Sequence, residues 1–183
     1  MKKKINLKTA KNRIAIARDV LNQLKEENIK VSCGRFLESK LFSDFGIPAS
    51  DQLNKHLKNY KCYVCAAGAC FLSAVNNFNN FTVGELQKHL TDYDYYIKYL
   101  LKFFSHDQVM LIEMAFELGN GLFYLDDDIV ICAFDTDFMN YVHYFSERQA
   151  TNAIDFGAKY THPKSRIKAI MNNIIENKGE FIP

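Results

Sequence analysis

From Cys62 to Val75 the chain reads CYVCAAGACFLSAV, a run that is apolar at nearly every helical angle. A segment with no polar face for water has two places to go: the middle of a protein or the middle of a bilayer. A bilayer span takes roughly 20 apolar residues, and this run is shorter and carries Ser73. It therefore predicts a central, fully buried helix over about 62–75, with Ala66, Ala67, Gly68 and Ala69 small enough for neighbouring backbones to come close. The remainder of the chain has to cover it. At 183 residues there is material for one core, so a single domain over 1–183 is expected. The 15 Phe and 10 Tyr supply the apolar bulk that a disordered chain lacks.

The covering elements read mainly as helices. Ile14, Ala17, Leu21 and Leu24 recur at helical spacing between Thr9 and Asn28. Ser50 can cap a short helix through Leu53 and Leu57. Thr82 and Ser105 each precede a Glu or Gln by three residues, the capping-box spacing, and open helices toward Leu90 and toward Gly119. Residues 92–104, dense in Tyr and Phe, and residues 138–145 also read as helical. His162-Pro163 puts proline in the first turn of a last helix carrying Ile167, Ile170, Met171 and Ile174, closed by Gly179. Two stretches depart from this. Residues 29–33 alternate as a strand does, and residues 122–134 fit a β-hairpin or a short helix. The expected fold is mainly α: a compact helical domain around the 62–75 helix with a small hairpin or ribbon.

Nothing at the start resembles a signal peptide, because Ile5-Asn6-Leu7-Lys8 breaks up before an apolar region develops. Five cysteines, three of them among small apolar residues, suit free thiols in a reducing compartment. A cytoplasmic protein without a membrane partner is expected. The net charge of +2 hides a segregation. Residues 1–83 carry 14 basic and 6 acidic groups, residues 84–137 carry 3 and 11, and residues 138–183 carry 6 and 4. Such an arrangement can steer an anionic ligand or support self-association into a homo-oligomer.

Motifs with chemistry are few. Cys62-x-x-Cys65 has the separation of a zinc or redox pair, but a second pair is missing, and Cys33, His56 and Cys70 stand at no standard spacing from it. Its apolar surroundings point to buried structural thiols. Asp135-x-Asp137 after an apolar run imitates a phosphatase nucleophile loop, yet Met139 and the short downstream chain do not suit that fold, and a helix cap near Phe138 accounts for it. Asp126-Asp127-Asp128 lacks the spacing of a calcium loop. The five histidines, His56, His89, His106, His143 and His162, form no metal-binding pattern. No catalytic residue, metal or cofactor is assigned on these grounds.

Binding chemistry is what remains. Arg13, Arg18, Arg35, Lys61, Arg148, Lys159, Lys164 and Arg166 can hold phosphates, and Tyr96 and Tyr160 offer rings on which a base could stack. The sequence pI of about 8.2 is low for a duplex-DNA binder. RIAIARDVL at 13–21, CYVCAAGA at 62–69 and RIKAIMNNIIEN at 166–177 followed by Gly179 resemble small accessory proteins of tailed phages and prophages. That resemblance implies a context in which such proteins inhibit host defences, by blocking a host protein or by sequestering a nucleotide-derived signal. The leading expectation is thus a non-catalytic anti-defence binder of a small anionic, nucleotide-like ligand or of a host protein. The alternatives are a metal- or thiol-dependent hydrolase whose site, using Asp135, Asp137 or Cys62, is assembled only in three dimensions, and a nucleic-acid-binding regulator.

Overall fold

The computed structural model describes residues 6–34, 37–38, 62–78, 93–117, 124–125, 128–129 and 147–183. Helix α1 (Ala10–Lys25) begins where Thr9, in an extended conformation, turns its hydroxyl onto the Asn12 N–H, supplying an acceptor that the first helical turn lacks. Its stripe of Ile16, Ala17, Val20 and Leu24 is fully buried. Strand β1 (Ile29–Val31) follows, with Ile29 inside and Lys30 outside. Strands β2 (Leu37–Glu38) and β3 (Cys62–Val64) complete a sheet in the order β1-β3-β2, parallel between β1 and β3 and antiparallel between β2 and β3.

The apolar run of the sequence thus divides. Its first three residues are strand β3, Cys65 is the junction, and helix α2 runs from Ala66 to Phe78. The correction to the expected 62–75 helix has a simple origin. Tyr63 and Val64 favour a pleated ladder as much as a helix, and the backbone of β1 is there to pair with, residue against residue from Ile29 with Cys62 to Val31 with Val64. The expectation of burial holds from Val64 through Val75. Helix α2 is contacted by α1, by α3 (Tyr93–Leu100) and by α4 (His106–Glu117). The ring of Tyr99 meets Phe71 edge-on at 5.7 Å and Phe103 at 5.5 Å.

Helix α3 stops at Leu100, short of Phe104, and a turn over 101–104 leads to Ser105. Ser105 caps α4 as its spacing predicts, its Oγ accepting from the Gln108 N–H. Gln108 does not close the capping box; its side chain pairs with both the N–H and the carbonyl of Phe181, because the C-terminal segment lies there and offers a backbone with no ladder partner. Strands β4 (Tyr124–Leu125) and β5 (Asp128–Ile129) pair antiparallel, the hairpin alternative for 122–134. Helix α5 (Glu147–Ala158) packs against α4, and α6 (Pro163–Glu176) against α1, α4 and β1. His162 caps α6 through its own ring nitrogen, with Pro163 in the first turn as expected. Gly179 closes it at φ +92°, donating to the Ile174 carbonyl at 2.7 Å. The expected helices at 53–57, 82–90 and 138–145 lie outside the described residues. Among those described, the fold is mainly helical with small sheets, and no helix is long and apolar enough to cross a membrane.

The α4–α5 contact is close enough to read as a prediction. A Cβ on Gly157 would lie 1.8 Å from the Ala115 carbonyl oxygen. Gly157→Ala should therefore cost about 3 kcal/mol or more, since two helix backbones must separate, whereas Ala158→Gly, on an exposed neighbour, should cost about 1 kcal/mol or less. Urea unfolding of the two variants measures the difference.

Candidate functional site

The N-terminus of α2 is buried, so its first N–H groups need acceptors that water cannot supply. Two side chains provide them. Cys65, the residue before the helix, accepts from the Gly68 N–H at 3.4 Å through its sulfur, in the place where Ser or Asp usually caps. Glu113 of α4 reaches across and accepts from the Ala67 N–H at 2.6 Å through Oε1. The same oxygen accepts the Cys65 S–H at 3.6 Å. One turn further along α4, Glu117 accepts the Gly34 N–H at 2.8 Å through Oε2, from the turn after β1 where Gly34 holds φ +70°.

Three potential ligand atoms, one each from Cys65, Glu113 and Glu117, lie within 4.8 Å of one another, and all three residues are buried. The second oxygens of the two carboxyls, Glu113 Oε2 and Glu117 Oε1, are buried with no hydrogen-bond partner among the described residues. Orphaned carboxylate oxygens in a dry interior are costly. The electrostatics record that cost. Burial, and then the neighbouring Glu117, push the Glu113 carboxyl up toward neutral pH against the Ala67 N–H and the Cys65 thiol. Burial raises Glu117 as well, opposed by the Gly34 N–H, by Arg166 and by Cys33. Burial, Glu113 and Glu117 drive the Cys65 thiol well above its ordinary value. As an isolated group Cys65 is thus a neutral thiol and a poor nucleophile; a cation placed among the three would reverse each of these shifts.

Arg166 forms the wall beside Glu117. It is fully buried, and its Nη1 donates to the Phe116 carbonyl at 2.6 Å while Nε and Nη2 serve the carbonyls of Gly157 and Tyr160. Burial lowers its pKa, and the charges of Cys33 and Glu117 oppose that. Cys33, half-buried, accepts from Nη1 of Arg166 at 3.9 Å.

The residues expected to bind an anion are placed as follows. Arg13 is engaged with the Gly179 and Phe103 carbonyls and with the Glu180 carboxylate, and Arg166 with the three carbonyls just named; both tie helix ends together. Arg18 and Arg148 are exposed on α1 and α5. Lys159 is exposed with its Nζ 5.8 Å from the Phe156 ring, and the half-buried Tyr160 ring lies at the same distance from that ring, tilted by 53°. Lys164 is half-buried in the first turn of α6, and Tyr96 lies on α3. Arg35, Lys61, Asp135 and Asp137 lie outside the described residues, and Cys62 lies on β3.

The reading of Cys62-x-x-Cys65 as buried structural thiols caught the burial of Cys65 and Cys70 but missed the carboxyls beside Cys65. Glu113 and Glu117 sit 48 and 52 positions away in the sequence. The one local signal was a pair of glutamates at i and i+4 on the helix Val109-Met110-Leu111-Ile112, whose surroundings are apolar. No protein-family model, curated protein or solved structure matches the chain.

The raised carboxyls set a pH dependence. Their contribution to stability is fully present below the ordinary carboxyl value near 4.5 and is lost as pH rises through the raised folded-state values, because the unfolded chain ionises first. For metal-free protein in chelator, the stability advantage of Glu113→Gln over wild type should thus grow between pH 5 and pH 8, by on the order of a few kcal/mol. Urea midpoints across that range test it; an advantage independent of pH would mean that the carboxyl ionises as freely inside as outside.

Proposed function

We propose that this protein binds one divalent transition-metal ion of the zinc class between Cys65, Glu113 and Glu117. The observation that carries the reading is the convergence of one thiol and two carboxyls, all buried, on a space no wider than 4.8 Å, with two carboxyl oxygens without partners among the described residues. Distances favour it. Tetrahedral zinc with Zn–S near 2.3 Å and Zn–O near 2.1 Å puts sulfur and oxygen about 3.6 Å apart, and Cys65 Sγ and Glu113 Oε1 are 3.6 Å apart. A thiolate among the donors favours zinc-class ions over magnesium and calcium, which take oxygen ligands alone. The ion would draw the protons from Cys65 and the glutamates and replace three unfavourable burials with coordinate bonds.

This reading develops the alternative of a metal-dependent protein with a site assembled only in three dimensions, although Cys65, Glu113 and Glu117 take the roles expected of Asp135, Asp137 or Cys62. The anti-defence role is a separate proposal about what the protein acts on. It is supported by the phage-like sequence segments and the segregated charge, and is tested by binding of cyclic nucleotides, ADP-ribose derivatives or a host protein.

A native mass spectrum of protein grown with added zinc should show one zinc per chain, removable by chelator with a fall in unfolding temperature. Cys65→Ser and Glu113→Gln should each lower zinc affinity by roughly 100-fold or more, since each removes a ligand whose partners stay in place. A wild-type mass equal to that of the bare chain, with no zinc taken up at micromolar concentration in titration, would remove the proposal.

A further inference from the structure

Helix α6 is complete at Gly179, whose N–H already bonds to the Ile174 carbonyl, so residues 180–183 add nothing to it. They are held across the helix ends as a bound peptide is held. Gln108, in the first turn of α4, makes two bonds to one residue: its Oε1 accepts the Phe181 N–H at 2.5 Å and its Nε2 donates to the Phe181 carbonyl at 3.1 Å. Asn173, in the last turn of α6, does the same for Ile182, at 2.8 and 2.7 Å. In extended backbone the N–H and C=O of one residue point to one edge and those of the next residue to the other. The segment is therefore clasped from both edges, each side-chain amide standing in for a residue of a neighbouring strand. Side chains alternate in the same way: Phe181 is 1% exposed, its ring edge-on to Phe156 at 5.2 Å, while Ile182 is 57% exposed. Glu180 pairs with the Arg13 guanidinium.

We infer that this groove is a peptide-binding site, filled here by the chain's own residues 180–182, and that its partner is an extended segment of another protein carrying Phe after an acidic residue. The two amide clasps touch main-chain atoms alone, so they favour any extended segment. Selection falls to the pocket beside Phe156, which takes an aromatic ring, and to Arg13, which meets the acidic position. Main-chain bonds for affinity and pockets for side chains is the division by which a sheet edge recognises a peptide. The resident segment is also separable from the fold. Its bonds at Ile182 are exposed, and its release involves neither the closure of α6 nor the bond from Arg13 to the Gly179 carbonyl. None of these residues is a proposed metal ligand, so the inference stands apart from the metal reading.

A segment tethered beside its own site acts at a local concentration on the order of 1 mM. To stay docked nearly all of the time it needs an intrinsic Kd at least about 10-fold lower, roughly 100 μM or tighter. The resident segment is thus both the template of the ligand and its competitor.

The test uses full-length protein in which Phe181→Ala weakens the resident segment, and a fluorescent synthetic peptide of residues 178–183. Anisotropy should give a Kd of roughly 100 μM or tighter. A peptide with Phe181→Ala should bind at least about 10-fold more weakly. Wild-type protein should bind the unaltered peptide at least about 10-fold more weakly too, because its own segment competes. Gln108→Ala added to the Phe181→Ala protein should weaken binding about 10-fold, two hydrogen bonds being lost. If the Phe181→Ala protein keeps its helical circular dichroism but binds the peptide no better than wild type does, or equally well without the phenylalanine, the inference is overturned. Should Phe181→Ala fail to fold, hydrogen exchange in the wild type decides. The Phe181 N–H should exchange by local opening, at least about 10-fold faster than the Ile170 N–H inside α6 and at a rate that low urea leaves unchanged. Exchange at the Ile170 rate, rising with urea alongside it, makes the segment a fixed part of the core and overturns the inference.

Discussion

A helix that is buried from its first residue has nowhere to send its leading N–H groups, and much of this structure follows from that constraint on α2. Its sides are satisfied by apolar packing: Phe71, Leu72, Ala74 and Val75 are sealed by α1, α3 and α4. Its start is not satisfied by packing. The donors there require side-chain acceptors, and the chain meets the need with a sulfur from the preceding residue and a carboxyl from α4. The helix dipole favours negative charge at that end, yet burial opposes it and pushes the Cys65 thiol and the Glu113 carboxyl toward their protonated forms. Capping the central helix is what brings Cys65, Glu113 and Glu117 together.

The glutamate pair on α4 carries this tension outward. Glu117 sits one turn beyond Glu113 and has the β1 turn, Cys33 and Arg166 as neighbours. Arg166 in turn holds the ends of α4 and α5 through Phe116, Gly157 and Tyr160. Each of these contacts joins a charged group to a helix end or a turn, where backbone groups are unpaired by the geometry of helices. The α4–α5 crossing at Gly157, with its backbone against that of Ala115, brings those ends close enough for one guanidinium to reach them all. Arg13 does similar work at the other end of the fold, linking α1 to the turn before α4 and to the C-terminal segment.

The ambiguity of an isolated arginine in a sequence is visible here. Arg13 and Arg166 were attractive as phosphate ligands for the donor geometry that also makes a guanidinium good at gathering carbonyls. Nothing local to Arg13-Ile14 or Ser165-Arg166 separates the two uses; the difference lies in whether helix ends arrive around the side chain. The capping of α4 shows the same limit on a smaller scale. Ser105 caps from within its own turn and was legible, while Gln108 was diverted to Phe181, 73 residues downstream.

The sequence by itself determined what short-range physics controls: the mainly helical class, the cap at Ser105, the proline in the first turn of α6 and the glycine that ends it, and the burial of Val64 through Val75. Periodicity and capping act over a few residues, so they can be read without a fold. Tertiary structure alone decided that Cys62–Val64 is a strand, since pairing with β1 requires β1 beside it, and that Cys65 faces Glu113 and Glu117. A cluster of groups 48 and 52 positions apart leaves no spacing to recognise, and only the packing of α4 across the start of α2 sets a cysteine among alanines beside two buried carboxyls.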